Sequence, residues 1–143
     1  MLAIGSDHGG FDLKEEVKKH LDELGVEYID CGCFDHSSVN YPEYAHKVAG
    51  KIQSGECDRG ILICSTGIGI SMAANRHKGV RAALCHDSYS AKMTRLHNDA
   101  NVLCMGGLII GKNLALEIVD VFLNTEFSGE ERHQNRIDMI EID

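Results

Sequence analysis

The sequence predicts a doubly wound α/β fold: one five-stranded parallel sheet, helices on both faces and a further helix at the C-terminus. Three observations carry this expectation. Apolar runs such as "LAIG", "GILIC" and "NVLCM" are short and continuous rather than alternating, the pattern of strands covered on both faces. Segments with helical character stand between them, and parallel neighbours need such crossovers, which are right-handed. The length of 143 residues suits one domain with one core, taken as residues 1–143.

Taken in order, "MLAIGS" is the first strand, and Leu13, Val17, Leu21 and Leu24 then share one helical face, with Gly25 as the stop. "VEYIDCG" is the second strand, and Pro42 opens the next helix. "GILIC" runs into "GISMAANRH", "RAALC" into "SYSAKMTRL", and "NVLCM" into "LALEIVDVFL", each pair a strand followed by a helix. "NTEFSGEERHQNRIDMIEID" reads as a loop and a terminal helix. No internal repeat, low-complexity stretch or linker interrupts the series. The fold class is therefore Rossmann-like, with the flavodoxin-type strand order 2-1-3-4-5 expected. In such sheets a ligand binds beyond the carboxyl ends of the strands, where the order reverses. That reversal sets "SDHGG" opposite "CSTGIG" and makes Asp7, His8 and Cys64 converge.

The formal charge of −8 disfavours nonspecific nucleic-acid binding, and the two arginines of "RHQNR" offer a local exception for a small anion. No apolar run is long enough to span a bilayer and no signal peptide opens the sequence. A soluble, cytoplasmic protein without membrane partners is expected. The six cysteines then read as reduced thiols, with Cys85 and Cys104, at the ends of apolar runs, as small core residues. Cys31, Cys33 and His36 are conceivable metal ligands, but no CxxC and no second ligand pair accompanies them, so no metal is expected.

The glycine turn Gly67-Ile68-Gly69-Ile70-Ser71-Met72 matches a dinucleotide fingerprint poorly, because Met stands where a small residue is needed. A P-loop is absent, since no lysine stands in its place. What remains is a nest of backbone N–H groups at a helix start, suited to an oxyanion or a phosphate. The same helix start favours a thiolate at Cys64. An inert core cysteine is the alternative.

Together, "GSDHGG", "NYPEYA", "ILICSTGIGISMAAN", "GVRAALCHD", "HNDANVL" and "RHQNR", in this order over residues 2 to 140, closely resemble the type B ribose-5-phosphate isomerases, a family that includes allose- and galactose-6-phosphate isomerases. The resemblance implies a cofactor- and metal-free aldose–ketose isomerase of the pentose phosphate pathway, working through a cis-enediolate. It also implies a homodimer, or a dimer of dimers, with sites shared between subunits. By the same resemblance Cys64 is the base between C1 and C2, Thr66 lies beside it, and the backbone of Ser65, Thr66, Gly67, Ile68 and Gly69 holds the enediolate oxygens. Asp7 and Tyr41 line the sugar site, and His8, Arg132 and Arg136 bind the phosphate. His97, as ring-opening acid and base, and Asn98 reach the site from the neighbouring subunit.

Each residue has a plainer alternative. Asp7 is placed to cap the first helix, and Tyr41 to pack ahead of its proline. Arg132 and Arg136, spaced i,i+4, suit a solvated face, while His133, Ile137 and Ile140 line another that packs inward. Two departures from the family pattern stand out: Ser65 where most members have glycine, and Leu108 where most have arginine after a glycine pair. Pentose and hexose phosphates stay open as substrates. So do a non-catalytic, flavodoxin-like nucleotide- or effector-binding domain and a redox sensor built on Cys64, although no CxxC supplies a resolving thiol.

Overall fold

The computed structural model describes residues 1–142. Among them five strands alternate with helices in the expected sequence. β1 (Leu2–Ser6) leads to α1 (Phe11–Leu24), β2 (Tyr28–Asp30) to α2 (Tyr41–Gln53), and β3 (Arg59–Cys64) to α3 (Ile68–Ala74). β4 (Ala82–Leu84) leads to α4 (Ser88–Asn98), β5 (Val102–Gly106) to α5 (Lys112–Asn124), and α6 (Glu131–Ile140) ends the series.

All strand pairs are parallel, in the order β2-β1-β3-β5-β4. The doubly wound class and the reversal between β1 and β3 are as expected. The far end is not, because β5 stands between β3 and β4 instead of outside them. The cause is burial. All five residues of β5 are buried, whereas β4 has three residues, half-buried or exposed. A strand buried throughout belongs at the centre and a short one at an edge. Asn75 blunts that edge by donating from Nδ2 to the Ala82 carbonyl at 2.9 Å and accepting from the Ala82 N–H at 2.7 Å.

Successive residues of β3 point to opposite faces. Ile61 and Ile63 join Leu13, Val17 and Leu21 of α1 and Ile118, Val119 and Phe122 of α5 in one core layer. Leu62 and Cys64 join Ala45, Val48 and Ala49 of α2 and Ile70 and Ala74 of α3 in the other. Cys85 and Cys104 are buried, as expected. Leu24 is not part of the α1 stripe: it is 52% exposed. Gly25, at φ +71°, turns the chain out of the helix, the Val26 N–H bonds back to the Leu21 carbonyl at 2.9 Å, and Val26 packs against the core instead. Ile140 likewise departs from expectation. His133 and Ile137 are buried under α6, but Ile140 overhangs a hollow and is 54% exposed.

Candidate active site

β1, β3 and β5 end side by side, with Ser6 in register with Ile63 and Cys64 with Gly106. Their turns approach with little side chain between them. A methyl group at Gly10 would overlap the Ile63 carbonyl, and one at Gly107 would stand 2.7 Å from the Gly9 carbonyl. This glycine junction lets three main chains meet under one cleft. Its signal in the sequence is the pair of doublets Gly9-Gly10 and Gly106-Gly107.

Cys64 closes β3 and is 5% exposed. Its Sγ accepts the Gly67 N–H at 3.1 Å, a donor that stabilises negative charge on the sulfur. Gly67 makes this possible with a left-handed φ of +79°, and a Cβ there would meet the Met105 carbonyl carbon at 2.7 Å. Thr66 Oγ1 accepts the Ile68 N–H at 3.2 Å. The remaining first-turn donors of α3, on Gly69 and Ile70, have no intrahelical acceptor. The ring of Tyr41 lies against Gly69, where any Cβ would collide with it.

Asp7, also buried, accepts the N–H groups of Gly9 at 2.9 Å and Gly10 at 3.1 Å through Oδ1. It therefore tethers the turn that opens α1 and also borders the cleft, while the cap position of the helix itself is Gly10. A cleft of about 370 Å³ is lined by Asp7, Tyr41, Cys64, Ser65, Thr66, Ile68 and Gly69. His8 stands next to Asp7, exposed, with Nδ1 accepting the Val39 N–H at 3.2 Å, which leaves Nε2 as the N–H donor.

The other expected site residues are gathered elsewhere. α4 carries His97 and Asn98 back to the edge where the strands begin, beside Asn101, whose carbonyl accepts the Gly60 N–H at 2.8 Å. The length of β3, about 16 Å, separates that edge from Cys64. The His97 ring lies 4.4 Å, centroid to centroid, from His133 of α6, the helix that also carries Arg132 and Arg136. Both arginines are exposed, and Arg132 pairs with Glu130 at 3.3 Å. Asn98 borders the hollow under Ile140, about 690 Å³, with Arg76, Lys78 and Arg81. That hollow is larger than the Cys64 cleft but holds no thiol.

Burial sets the state of several groups. It pushes the Cys85 thiol up to about 11 and drives Cys104 up as well, so both stay protonated at neutral pH. Burial lowers His133, helped by the neighbouring His97 and Arg132, and Ser128 Oγ sits 2.7 Å from its Nδ1. The conceivable metal ligands do not converge: the Cys33 thiol donates to the Asp35 carbonyl at 3.4 Å and His36 Nε2 faces Asp12 at 2.7 Å. Sequence reasoning missed one positioning network. Lys14, fully buried, donates to both oxygens of Asp30 at 2.7 and 2.9 Å and to the Cys33 carbonyl at 2.6 Å. It ties the loop that carries Val39 and leads to Tyr41 onto α1. A lysine three residues after a helix start carries no sequence signal of burial.

Fold and cleft define a Rossmann-like α/β protein that holds a thiol, a carboxylate and backbone donors at the topological switch point. Known proteins resemble this chain closely in sequence and fold. The family model described as Ribose/Galactose Isomerase matches residues 2–140. Ribose-5-phosphate isomerase B of Escherichia coli is 49% identical over 139 residues, which is 97% of this chain and 93% of the relative. The solved ribose-5-phosphate isomerase B of Clostridium thermocellum is 52% identical with a TM-score of 0.95, covering 97% of this chain and 93% of that one. That of Thermotoga maritima is 51% identical with a TM-score of 0.96, covering 98% and 96%. The chain belongs to the ribose/galactose isomerase family, and it is an isomerase.

Proposed function

We propose that the chain interconverts ribose 5-phosphate and ribulose 5-phosphate through a cis-enediolate, with Cys64 as the base. The observation that carries this reading is the Cys64 sulfur, held by the Gly67 N–H at 3.1 Å in a cleft shared with Asp7. The thiolate takes the C2 proton of the open-chain aldose, and the C2–H electrons form the enediolate double bond as the carbonyl electrons move to O1. Cys64 returns the proton to C1 while the O2 proton passes to O1, giving the ketose with no net change in electrons. The free donors of the α3 first turn face the oxygens where charge develops, which is where stabilisation lowers a barrier. Asp7 and Tyr41 orient the hydroxyls.

Phosphate binding by Arg132 and Arg136 and ring opening by His97 require these groups at the same cleft, and one chain holds them at the far edge. A homodimer in which the neighbour supplies them satisfies both. Exposed Ile68, Met72, Leu108 and Ile109, each at least 47% accessible, support such an apposition on the cleft side. The test is turnover of ribose 5-phosphate to ribulose 5-phosphate with and without a chelator, with allose 6-phosphate in parallel because Leu108 departs from the family pattern. Chelator-independent turnover of the pentose is expected. Failure with every sugar phosphate would favour a binding domain.

A further inference from the structure

Gly9 has no left-handed φ, so its backbone does not require glycine. What excludes a side chain there is Ser65: a methyl group at position 9 would overlap Ser65 Oγ and stand 3.2 Å from its Cβ and from its backbone N. The neighbouring Gly10 differs, because its obstacle is the main-chain carbonyl of Ile63, which no substitution removes. At position 9 the overlap is with a side-chain atom, and the main chain is met only at a tight 3.2 Å. The Ser65 carbonyl accepts the Leu108 N–H at 3.0 Å, which fixes the residue's main chain. Half-exposed, Ser65 lines the same cleft as Asp7 and Cys64. Among the described residues no group hydrogen-bonds the Ser65 hydroxyl.

We propose that residues 9 and 65 act as one specificity-determining unit: glycine at 9 admits the Ser65 hydroxyl into the cleft wall, where it hydrogen-bonds a hydroxyl of the sugar phosphate. This rests on the isomerase reading above and adds the group that recognises the polyol beside the reacting carbons. The hydroxyl is a contact that the backbone of the same residue does not supply. It is available only in a chain whose position 9 lacks Cβ.

Four variants test the unit. Ser65→Ala, which keeps Cβ and removes only the hydroxyl, is expected to lower kcat/KM for ribose 5-phosphate about threefold to tenfold, the range of one net hydrogen bond. Gly9→Ala is expected to lower kcat/KM at least about tenfold and to lower Tm, because it overpacks the wall. Gly9→Ala combined with Ser65→Gly should return to within about threefold of Ser65→Gly alone and recover most of the Tm, the signature of coupled neighbours. A soluble double variant beside an insoluble Gly9→Ala also supports the coupling. The proposal is overturned if the double variant is no better than Gly9→Ala in either readout, if both are insoluble, or if Ser65→Ala matches the unsubstituted protein. Absence of turnover in the unsubstituted protein would instead refute the isomerase reading, and the Tm cycle would still report whether positions 9 and 65 are coupled.

Discussion

At the scale of single residues, two groups with opposite environments carry separable parts of the proposed reaction. Cys64 is almost wholly enclosed and touches a backbone donor, so its removal should affect proton transfer and little else. Cys64→Ala is expected to abolish exchange of the C2 proton with solvent while binding of an inert phosphorylated sugar acid stays nearly intact. Continued exchange, followed by NMR in heavy water, would remove Cys64 from the role of base. Arg136 is exposed and has no carboxylate within ion-pair distance among the described residues, which suits a cation kept for a ligand. Arg136→Ala should raise KM by the loss of a charge-assisted contact of about 1.5–3 kcal/mol. An unchanged KM returns Arg136 to a solvated helix face.

At the scale of elements, the loop between β2 and α2 depends on ions rather than on apolar packing. Burial by itself would raise the Asp30 carboxyl, but Lys14 at 2.7 Å, Lys18 at 2.8 Å and the Gly32 N–H at 2.9 Å outweigh it and hold the group below the usual carboxylate range. A carboxyl lowered on folding contributes stability that is complete above its unfolded value, about 3.9, and is lost as pH falls through the folded one. Asp30→Asn strands the buried Lys14 charge and should cost about 3 kcal/mol at pH 7. Denaturant titrations at pH 7 and pH 3 should show the gap to the unsubstituted protein narrowing at the lower pH. A gap that stays constant would mean that the ion pairs are not its source. Because the loop supplies the Val39 N–H to His8, the same variant should also weaken phosphate binding.

At the scale of the whole molecule, the sheet separates the residues of the proposed site into two groups. Cys64 and Asp7 stand at the carboxyl edge; His97, Arg132 and Arg136 gather around α4 and α6. If neighbouring subunits exchange these groups, a Cys64→Ala chain and a His97→Ala chain complement each other. Equal amounts, unfolded and refolded together, should regain about a quarter of the native activity per chain, since half the dimers are mixed and each has one intact site. No recovery, with mixed dimers confirmed by mass spectrometry, would mean that each chain completes its own site.

The doubly wound class, the element sequence and the cluster at Cys64 were legible in the residues themselves, because burial on both faces and helical spacing are local patterns and the turns after β1 and β3 meet wherever that topology is adopted. Other features depend on partners distant in sequence. The placement of β5 inside β4 followed from a competition between strands for the buried position. The burial of Lys14 came from Asp30, sixteen positions away. The exclusion of a side chain at Gly9 came from Ser65, across the cleft floor. Local sequence encodes which face of an element is apolar, but which two turns come within one atomic radius is decided only when the whole sheet closes.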